Sequence, residues 1–313
     1  MIGRKERKIL KELDKDSRQS LTQIGKKTRI NKETVNYIIK KLEKDGTIKG
    51  YFSLINYFKL GFNIFKLLIR YGNVGIKEEK EISKWILKNP EVIWAGETDG
   101  KWDLIITIRG QSLEKIYDML NEFNTKFSKH IQERQLLIAH EVEWLNEKYL
   151  YTNEKENYTD PSRQGEEIIE INDKDKKIIE IIEQNARIPT VQIASKLKLT
   201  AEAISRRIKN LVKKGIISRF KLRLNHEKLN KIYNHIFISL KDFSKMEQIV
   251  SYYENSKNCV FIMKYHGNYD LHLEMITNSQ KEFKEITREL REKFGNIISD
   301  HQNISIIKEH KLA

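Results

Sequence analysis

The sequence predicts an α+β fold in which two winged helix-turn-helix domains alternate with two ferredoxin-like βαββαβ domains. Three observations support this prediction: an internal repeat, a helical spacing of apolar residues in the first part of each copy, and strand-like segments in the second part. Residues 7–49 align without a gap on residues 176–218, and WDLIITI (102–108) matches YDLHLEM (269–275). Similarity that keeps its order over such a length indicates a duplicated two-part unit.

The repeat divides the 313 residues into five segments. We predict winged helices at 1–61 and 170–230, ferredoxin-like domains at 62–150 and 231–313, and a linker at 151–169. The linker is polar and contains one of the three prolines of the chain. A chain of this length can form several domains with cores of their own.

Each winged helix begins with three predicted helices. In the first copy, Ser20 and Asn31 precede the second and third helices as N-cap residues, because their side-chain oxygens can accept hydrogen bonds from first-turn N–H groups. Gly46 ends the third helix, since glycine readily takes the left-handed conformation found there. The apolar face of this helix follows the i, i+3, i+4, i+7 spacing and consists of Val35, Ile38, Ile39 and Leu42. The β-branched and aromatic segment TIKGYFSLI (47–55) predicts the wing strand.

The second copy repeats this pattern with other cap residues. Asp173 and Thr200 are the predicted N-caps of its first and third helices. Pro189 opens the second helix, and Gly215 ends the third. The predicted apolar positions of the third helix are Ile204, Ile208, Leu211 and Val212.

The second part of each copy alternates strands with amphipathic helices. In the first copy the predicted elements are a strand (62–72), a helix (79–90), a strand (91–97), a strand (102–110), a helix (112–123) and a strand (132–144). This order is that of a ferredoxin-like unit, an antiparallel sheet with both helices on one face. The second copy repeats the same order.

The positive charge of the chain is concentrated in the two winged helices. The formal net charge is +14, and the sequence pI is about 9.4. Residues 1–61 contain 16 Lys/Arg against 7 Asp/Glu, residues 170–230 contain 15 against 7, and the remainder is mildly acidic. A solvated basic surface would spread its charge evenly, so this distribution predicts double-stranded DNA as a polyanionic partner.

Several other classes of function find no support in the sequence. Cys259 is the only cysteine, so a disulfide framework cannot form and a cytoplasmic location is expected. No apolar stretch reaches the roughly 20 residues that span a bilayer, so we expect no membrane partner. The eight histidines lack C-x-x-C or H-E-x-x-H spacing, and no phosphate-binding or nucleophile motif occurs. We therefore expect no metal, no cofactor and no enzymatic activity.

The outward face of each third helix is the predicted reading surface, because such a helix fits the major groove of DNA. Asn36 suits adenine and Arg206 suits guanine, so the two faces differ and we expect an operator that is not a perfect palindrome. The candidate base-contacting residues are Lys32, Thr34, Asn36, Tyr37 and Lys40 in the first copy and Ala201, Glu202, Ser205, Arg206, Arg207 and Lys209 in the second. The candidate backbone contacts lie in the wings and are Lys49, Tyr51, Arg219 and Lys221.

Short motifs recur where the parts of each copy meet. They are the winged-helix endings LEKDGTIKGY and LVKKGIISRF, the Lys59-Leu60-Gly61 that closes the first wing segment, and the hairpins Gly100-Lys101-Trp102-Asp103 and Gly267-Asn268-Tyr269-Asp270. Together with the order of the elements, these motifs resemble the leucine-responsive and asparagine-operon (Lrp/AsnC) family of regulators. The resemblance extends over nearly the whole chain. The chain differs from typical members of that family, which are single units, because it is a tandem fusion.

The resemblance implies a transcriptional regulator that forms homo-oligomers through its ferredoxin-like domains. It also implies that an amino acid or another small effector binds near the hairpin loops, at Gly100, Trp102 and Asp103 in the first copy and at Gly267, Tyr269 and Asp270 in the second. The residues alone allow a simpler interpretation, in which Asp-Gly and His-Gly are ordinary hairpin turns. The two sheets can pair within one chain or between chains, and the sequence leaves both arrangements open.

Two alternative functions also remain open. An architectural DNA-coating protein would use the same basic modules for affinity rather than selectivity. The siroheme decarboxylases are similar in architecture, and their polycarboxylate substrate would need clustered Arg and His in the sheet domains. The hairpin loops of this sequence show no such cluster.

Overall fold

The structure is a computed structural model that describes residues 2–151 and 158–312. The chain folds as two compact units, each of which contains segments from both copies of the repeat. The helical unit comprises Met1–Leu60, Asn146–Asp160 and Ile168–Lys231, and the sheet unit comprises Gly61–Leu145, Pro161–Glu167 and Ile232–Ala313. The predicted domains are thus grouped in pairs, winged helix with winged helix and sheet with sheet.

The elements follow the predicted order. The first copy forms α1 (Arg4–Lys15), α2 (Leu21–Thr28), α3 (Lys32–Lys44), β1 (Ile48–Ile55), β2 (Asn63–Tyr71), α4 (Ile76–Lys88), β3 (Val92–Asp99), β4 (Leu104–Gly110), α5 (Leu113–Phe127) and β5 (Ile131–Trp144), and a short β6 (Asp160–Arg163) follows. The second copy forms α6 (Asp173–Gln184), α7 (Thr190–Leu197), α8 (Ala201–Lys213), β7 (Ile217–Leu224), β8 (Ile232–Leu240), α9 (Met246–Glu254), β9 (Cys259–His266), β10 (Leu271–Thr277), α10 (Gln280–Phe294) and β11 (Ile298–Leu312). The predicted α+β class is confirmed.

The helix ends of the helical unit form where cap chemistry predicts them, with one exception. Asn31 Oδ1 accepts the Thr34 N–H at 2.7 Å at the start of α3, and Thr200 caps α8 in the same way. The N-cap of α6 is Asn172, whereas the predicted cap Asp173 is the first helical residue. Val212 was expected in the core but remains 40% exposed. Each residue turns the helix by about 100°, which carries Val212 away from the buried Leu211.

The two predicted wing strands pair with each other. β1 lies antiparallel to β7, with Phe52 opposite Lys221 at the centre of the register. These two residues occupy equivalent positions in the two copies, as do Ile48 and Ile217, which lie at corresponding ends of the ladder. The ladder therefore relates the two winged helices by an approximate twofold axis through its central pair.

Reciprocal contacts repeat this twofold relation outside the strands. The Arg18 guanidinium donates a hydrogen bond to the carbonyl of Ala186, and the Arg187 guanidinium donates one to the carbonyl of Ser17. Arg18 corresponds to Arg187, and Ser17 corresponds to Ala186. Each contact from the first copy therefore has a counterpart of the same kind from the second, as in an isologous interface between identical subunits.

The sheet unit contains two ferredoxin-like sheets that close on each other within one chain. The first sheet has the order β5-β2-β4-β3, and the second has the equivalent order β11-β8-β10-β9. β3 pairs antiparallel with β11, and β5 pairs antiparallel with β9. Eight strands thus form a continuous ring, and the open question of how the sheets pair is answered by an intrachain arrangement.

Successive side chains of each strand point to opposite faces of its sheet. On β2, Phe65, Leu67 and Ile69 belong to a core cluster that also includes Ile82 of α4 and Phe123 of α5. The second sheet forms an equivalent core with α9 and α10. The alternate residues, beginning with Lys66 on β2, are buried on the inner face against the other sheet.

The hairpin turn between β3 and β4 needs glycine at position 100. Gly100 has φ +143°, and a Cβ there would lie 2.9 Å from the carbonyl oxygen of Asn303, a backbone atom that cannot move aside. Gly50 has a similar φ of +157° but has open space around it. We expect Gly100→Ala to lower the free energy of unfolding by about 1–3 kcal/mol more than Gly50→Ala does, because only Gly100→Ala overpacks its surroundings. Urea unfolding of the two variants measures this difference, and equal losses would contradict it.

The predicted linker is partly ordered. β6 pairs with β5, and the Gln164 N–H donates to the carbonyl of His140 at 2.8 Å. Asp160 lies in the helical unit, where its Oδ2 is 2.7 Å from Arg219 Nε. Residues 152–157 of the predicted linker lie outside the described residues. In the described part of the chain, every helix is too short or too polar to cross a bilayer.

Candidate nucleic-acid interface

The apolar faces of α3 and α8 determine which of their side chains point outward. Val35 and Ile38 of α3, and Ile204 and Ile208 of α8, are buried in separate cores beneath the two helices. The turn before each recognition helix contains a residue in the left-handed backbone conformation. This residue is Arg29 in the first copy and Lys198 at the equivalent position of the second. Both recognition helices are therefore seated on their own domains with the polar side turned away from the core.

The outward face of α3 carries most of its predicted contacts. Lys32, Tyr37 and Lys40 are exposed, and Tyr37 keeps 69% of its side-chain surface accessible. Thr34 and Asn36 are half-buried between them. Tyrosine combines an apolar ring with a polar hydroxyl, so it is well suited to contact a ligand. The face thus presents cations, an amide and an aromatic ring together.

The outward face of α8 has a different composition. Glu202, Arg206 and Lys209 are exposed, whereas Ala201 and Ser205 are half-buried. Arg207 differs from the prediction, because its Nη1 donates to Asp175 Oδ1 at 2.8 Å and lies near Asn172. This ion pair fixes α8 to α6, so Arg207 orients the recognition helix and is not available for base contact.

Of the two wing residues predicted on β1, one is exposed. Lys49 is exposed, but Tyr51 is buried against the second winged helix. The Tyr51 hydroxyl donates to Glu43 Oε1 at 2.7 Å, and the Arg187 guanidinium lies 5.1 Å from the centre of its ring. Burial raises the pKa of the Tyr51 hydroxyl. Tyr51 therefore belongs to the packing between the copies and not to the DNA surface.

The strand β7 loses both of its predicted contacts. Arg219 pairs with Asp160 and donates from Nη1 to Asn146 Oδ1 at 3.3 Å. The Lys221 side chain is 2% exposed, and its ammonium lies 3.4 Å from Asp14 Oδ1. Lys221 does not reach the surface, because pairing between β1 and β7 places it inside the helical unit, and Arg219 is half-buried in its ion pair. Sequence reasoning treated the wing as a free strand and could not detect this pairing.

Asp14 is the centre of a buried polar cluster around Lys221. Its Oδ2 accepts hydrogen bonds from the Glu147 N–H at 3.1 Å and from the Tyr151 hydroxyl at 2.9 Å. Burial raises the pKa of Asp14, while the Lys221 ammonium acts in the opposite direction. Glu147 Oε2 in turn lies 3.4 Å from His226 Nε2. The cluster joins α1 to β7 and therefore ties the two copies together.

In the first hairpin loop, two of the three predicted effector residues have a structural role. Trp102 is fully buried. Asp103 Oδ2 accepts the Tyr71 N–H at 2.7 Å, and its own N–H donates to the carbonyl of Ile69. Asp103 thereby fastens the hairpin to the end of β2. Gly100 supplies the exposed tip of the turn.

The second hairpin loop repeats this arrangement. Tyr269 is buried, and Asp270 Oδ2 accepts the Leu240 N–H at 2.7 Å. Leu240 and Tyr71 are equivalent positions of the repeat, so both aspartates hold the same strand end. Gly267 is exposed at the tip, with φ +149°. In each loop, the aromatic residue and the aspartate thus have the structural roles that the simpler turn interpretation gives them.

Comparison with known proteins supports the assignment of both winged helices. A family model described as winged helix-turn-helix DNA-binding matches residues 3–49 and residues 171–218. An HTH-type transcriptional regulator of Pyrococcus furiosus is 32% identical over 118 residues, which are 37% of this chain and 78% of that protein. The regulator LrpA of Pyrococcus horikoshii is 29% identical over 127 residues, 41% of this chain and 88% of its own length.

A solved structure matches the tandem arrangement as a whole. The siroheme decarboxylase NirDL superposes with a TM-score of 0.64 over 99% of this chain and 93% of its own, at 16% sequence identity. At that identity the match shows the fold alone.

The fold, the two exposed recognition helices and these relatives define a DNA-binding protein of the winged helix-turn-helix class. The chain belongs to the Lrp/AsnC family of transcriptional regulators and contains the family's two-part unit twice. It is therefore a DNA-binding regulator of that type.

Proposed function

We propose that a single chain of this regulator reads one operator, using α3 on one half-site and α8 on the other. The observation that carries the proposal is the reciprocal pairing of the two winged helices within the helical unit. Arg18 and Arg187 exchange equivalent contacts across the central pair of Phe52 and Lys221. Regulators assembled from two identical subunits bind half-sites that mirror their twofold symmetry, and the pseudo-symmetry of this unit supports the same use.

The two half-sites differ in sequence because the reading faces differ. Asn36 on α3 offers an amide that matches the N6 and N7 edge of adenine. At the equivalent position the second copy has Ser205, and the next residue, Arg206, offers a guanidinium that matches guanine O6 and N7. Lys32, Lys40 and Lys209 lie on the same exposed faces and supply phosphate contacts.

Selection of duplexes from a random pool tests the proposal. We expect one enriched sequence with two unequal half-sites, bound by one chain per duplex as judged by sedimentation. Specific binding should exceed binding to random duplex by about 10³-fold or more at physiological salt. Enrichment of no sequence, with chains coating the duplex at any length, would instead support an architectural DNA-coating protein.

Replacing Lys49 by Ala should weaken binding to operator and random duplex alike, because this exposed strand residue faces phosphate rather than bases. The slope of log K against log salt should become shallower by about one unit. Fluorescence anisotropy titrations at several salt concentrations measure both quantities. Lys77→Ala, which removes an exposed lysine from α4, is the matched control and should leave the slope unchanged. A loss confined to the operator would place Lys49 among the base contacts.

The proposal includes modulation by an amino acid or a related small effector at the hairpin loops. The exposed tips at Gly100 and Gly267 are the accessible parts of the predicted sites. A thermal-shift screen of the twenty amino acids tests this part. A ligand that stabilises the parent should stabilise a Gly267→Ala variant less, whereas equal stabilisation would exclude the loop from the effector site.

Decarboxylation of a tetrapyrrole is not part of the proposal. The likeness to NirDL concerns the fold. A substrate with many carboxylates needs several cationic side chains around it, and the buried polar group between the sheets contains one lysine, two neutral histidines and one glutamate. Titration of the protein with siroheme, followed by its absorbance, tests this exclusion. Stoichiometric binding with loss of carboxylates would overturn it.

A further inference from the structure

Two histidines and a glutamate converge on the inner face of the second sheet. His272 and Glu274 are two residues apart on β10, so both point to the same side. His235 on β8 pairs directly opposite Glu274 in the antiparallel register. His235 and His272 are fully buried, and Glu274 is 7% exposed.

The donor atoms of these three side chains lie close together. Glu274 Oε1 is 3.7 Å from His235 Nε2 and 3.9 Å from His272 Nε2. One ligand atom from each residue lies within 4.8 Å of the others. Tetrahedral Zn²⁺ with bonds of about 2.0–2.1 Å brings its ligand atoms to about 3.3–3.4 Å from one another. The two carboxylate–imidazole distances would have to shorten by roughly half an ångström, and the widest separation by up to about 1.4 Å, to complete such a site.

The ring nitrogens of the two histidines lack the hydrogen bonds that burial normally requires. Neither Nδ1 nor Nε2 of His235 has a hydrogen-bond partner among the described residues, and Nε2 of His272 also has none. A buried polar atom left in this way is destabilising. Both rings are fully buried, and neutral imidazole is the form that binds metals.

We propose that His235, His272 and Glu274 bind one divalent transition-metal ion, with Zn²⁺ as the preferred occupant. A set of two imidazoles and one carboxylate is typical of zinc sites that keep a fourth position for water. Hard cations such as Mg²⁺ and Ca²⁺ prefer sites made of oxygen ligands, which this site is not. The ion satisfies the nitrogens that the fold leaves without partners.

A neighbouring side chain fits the role of an outer partner. The Tyr233 hydroxyl donates to Glu274 Oε2, which leaves Oε1 directed at the two rings. A hydrogen bond of this kind orients a metal-binding carboxylate. The Glu274 side chain, at 10% exposed, is the most accessible of the three.

The site belongs to the second copy alone. The positions of the first copy equivalent to His235, His272 and Glu274 are Lys66, Ile105 and Thr107. Lysine in its charged form, isoleucine and threonine form no transition-metal site. The prediction is therefore one ion per chain rather than two. The histidine spacing along the sequence gave no signal, because His235 and His272 come together only when β8 pairs with β10.

Metal titration of the full-length chain tests the proposal. Protein stripped with a chelator is titrated with ZnCl₂ against a chromophoric indicator, and binding should saturate at one ion per chain. Cobalt(II) substitution should give the visible absorption of a four-coordinate nitrogen and oxygen site. Zn²⁺ should also raise the melting temperature, because it binds the folded form. Absence of saturable Zn²⁺ binding by the parent would overturn the proposal without any variant.

A near-isosteric variant and a surface control locate the ion. Glu274→Gln retains a partner for Tyr233 and should weaken Zn²⁺ binding by more than the roughly 10–100-fold that loss of an outer partner causes. The double variant His140→Ala, His266→Ala removes a pair of exposed histidines whose rings lie 5.7 Å apart and should bind as the parent does. Binding that survives Glu274→Gln but disappears in the double variant would assign the ion to the surface pair and refute the internal site. Circular dichroism establishes that each variant is folded.

Discussion

Replacing Lys221 by Met is expected to destabilise the helical unit by about 3–5 kcal/mol at neutral pH. Lys221 is the cation nearest to the buried Asp14, and it also attracts Glu147 and Asp160. Removing one partner of a buried ion pair leaves an uncompensated charge, and this is where the cost of such changes arises. The methionine fills most of the space of the lysine stem, so the loss reports charge rather than volume. Chemical unfolding monitored by circular dichroism measures it.

A second substitution separates the charge from the packing. Asp14→Asn in the Lys221→Met background keeps an acceptor for the Glu147 N–H and the Tyr151 hydroxyl, and it should restore at least half of the lost stability. Lys8→Met replaces an exposed lysine of α1 and should change the free energy of unfolding by less than about 0.5 kcal/mol. No rescue by Asp14→Asn would show that the cluster contributes through shape and not through charge.

The same variant should show a pH dependence of known sign. Burial raises the pKa of Asp14 in the folded protein, and loss of the Lys221 charge raises it further. A carboxyl with a raised folded pKa favours folding when it is protonated, and this contribution is lost as the pH rises through the folded pKa. The stability difference between parent and Lys221→Met should therefore shrink as the pH falls toward 4 and reach its full size near pH 7.

Replacing Arg206 by Glu should cost about 1–3 kcal/mol in operator binding and relax the preference at one base position. Arg206 is exposed on α8, and a bidentate contact between its guanidinium and guanine would account for that preference. Competition binding with operators changed one base pair at a time measures the effect. The charge-matched control Lys77→Glu on α4 should leave the base preferences unchanged. If Arg206→Glu weakens every duplex equally, the side chain contacts phosphate and not a base.

The sequence predicted the elements of this fold well because their signals are local. The spacing of Val35, Ile38, Ile39 and Leu42 is enough to define a helix and its buried side. The cap residues Ser20, Asn31 and Thr200 lie where their hydrogen bonds form. The duplication then transferred each assignment from one copy to the other.

The predictions that failed depended on contacts distant in sequence. Tyr51 and Lys221 looked exposed only as long as β1 and β7 were considered separately, and the pairing of these strands buries them, whereas Arg219 is half-buried beside Asp160. Arg207 was removed from the reading face by Asp175, 32 residues away. The histidines at 235 and 272 meet only after β8 pairs with β10. Contacts of this kind join residues that are far apart in sequence, so no local sequence pattern predicts them.

The joining of both halves in one polypeptide also changes how the protein responds to dilution. Where two identical chains must meet before a paired structure forms, the amount of that structure falls with protein concentration. Here β1 and β7, β3 and β11, and β5 and β9 find each other within the same molecule. The formation of these pairings therefore does not depend on protein concentration, and each half can acquire its own substitutions without imposing them on the other.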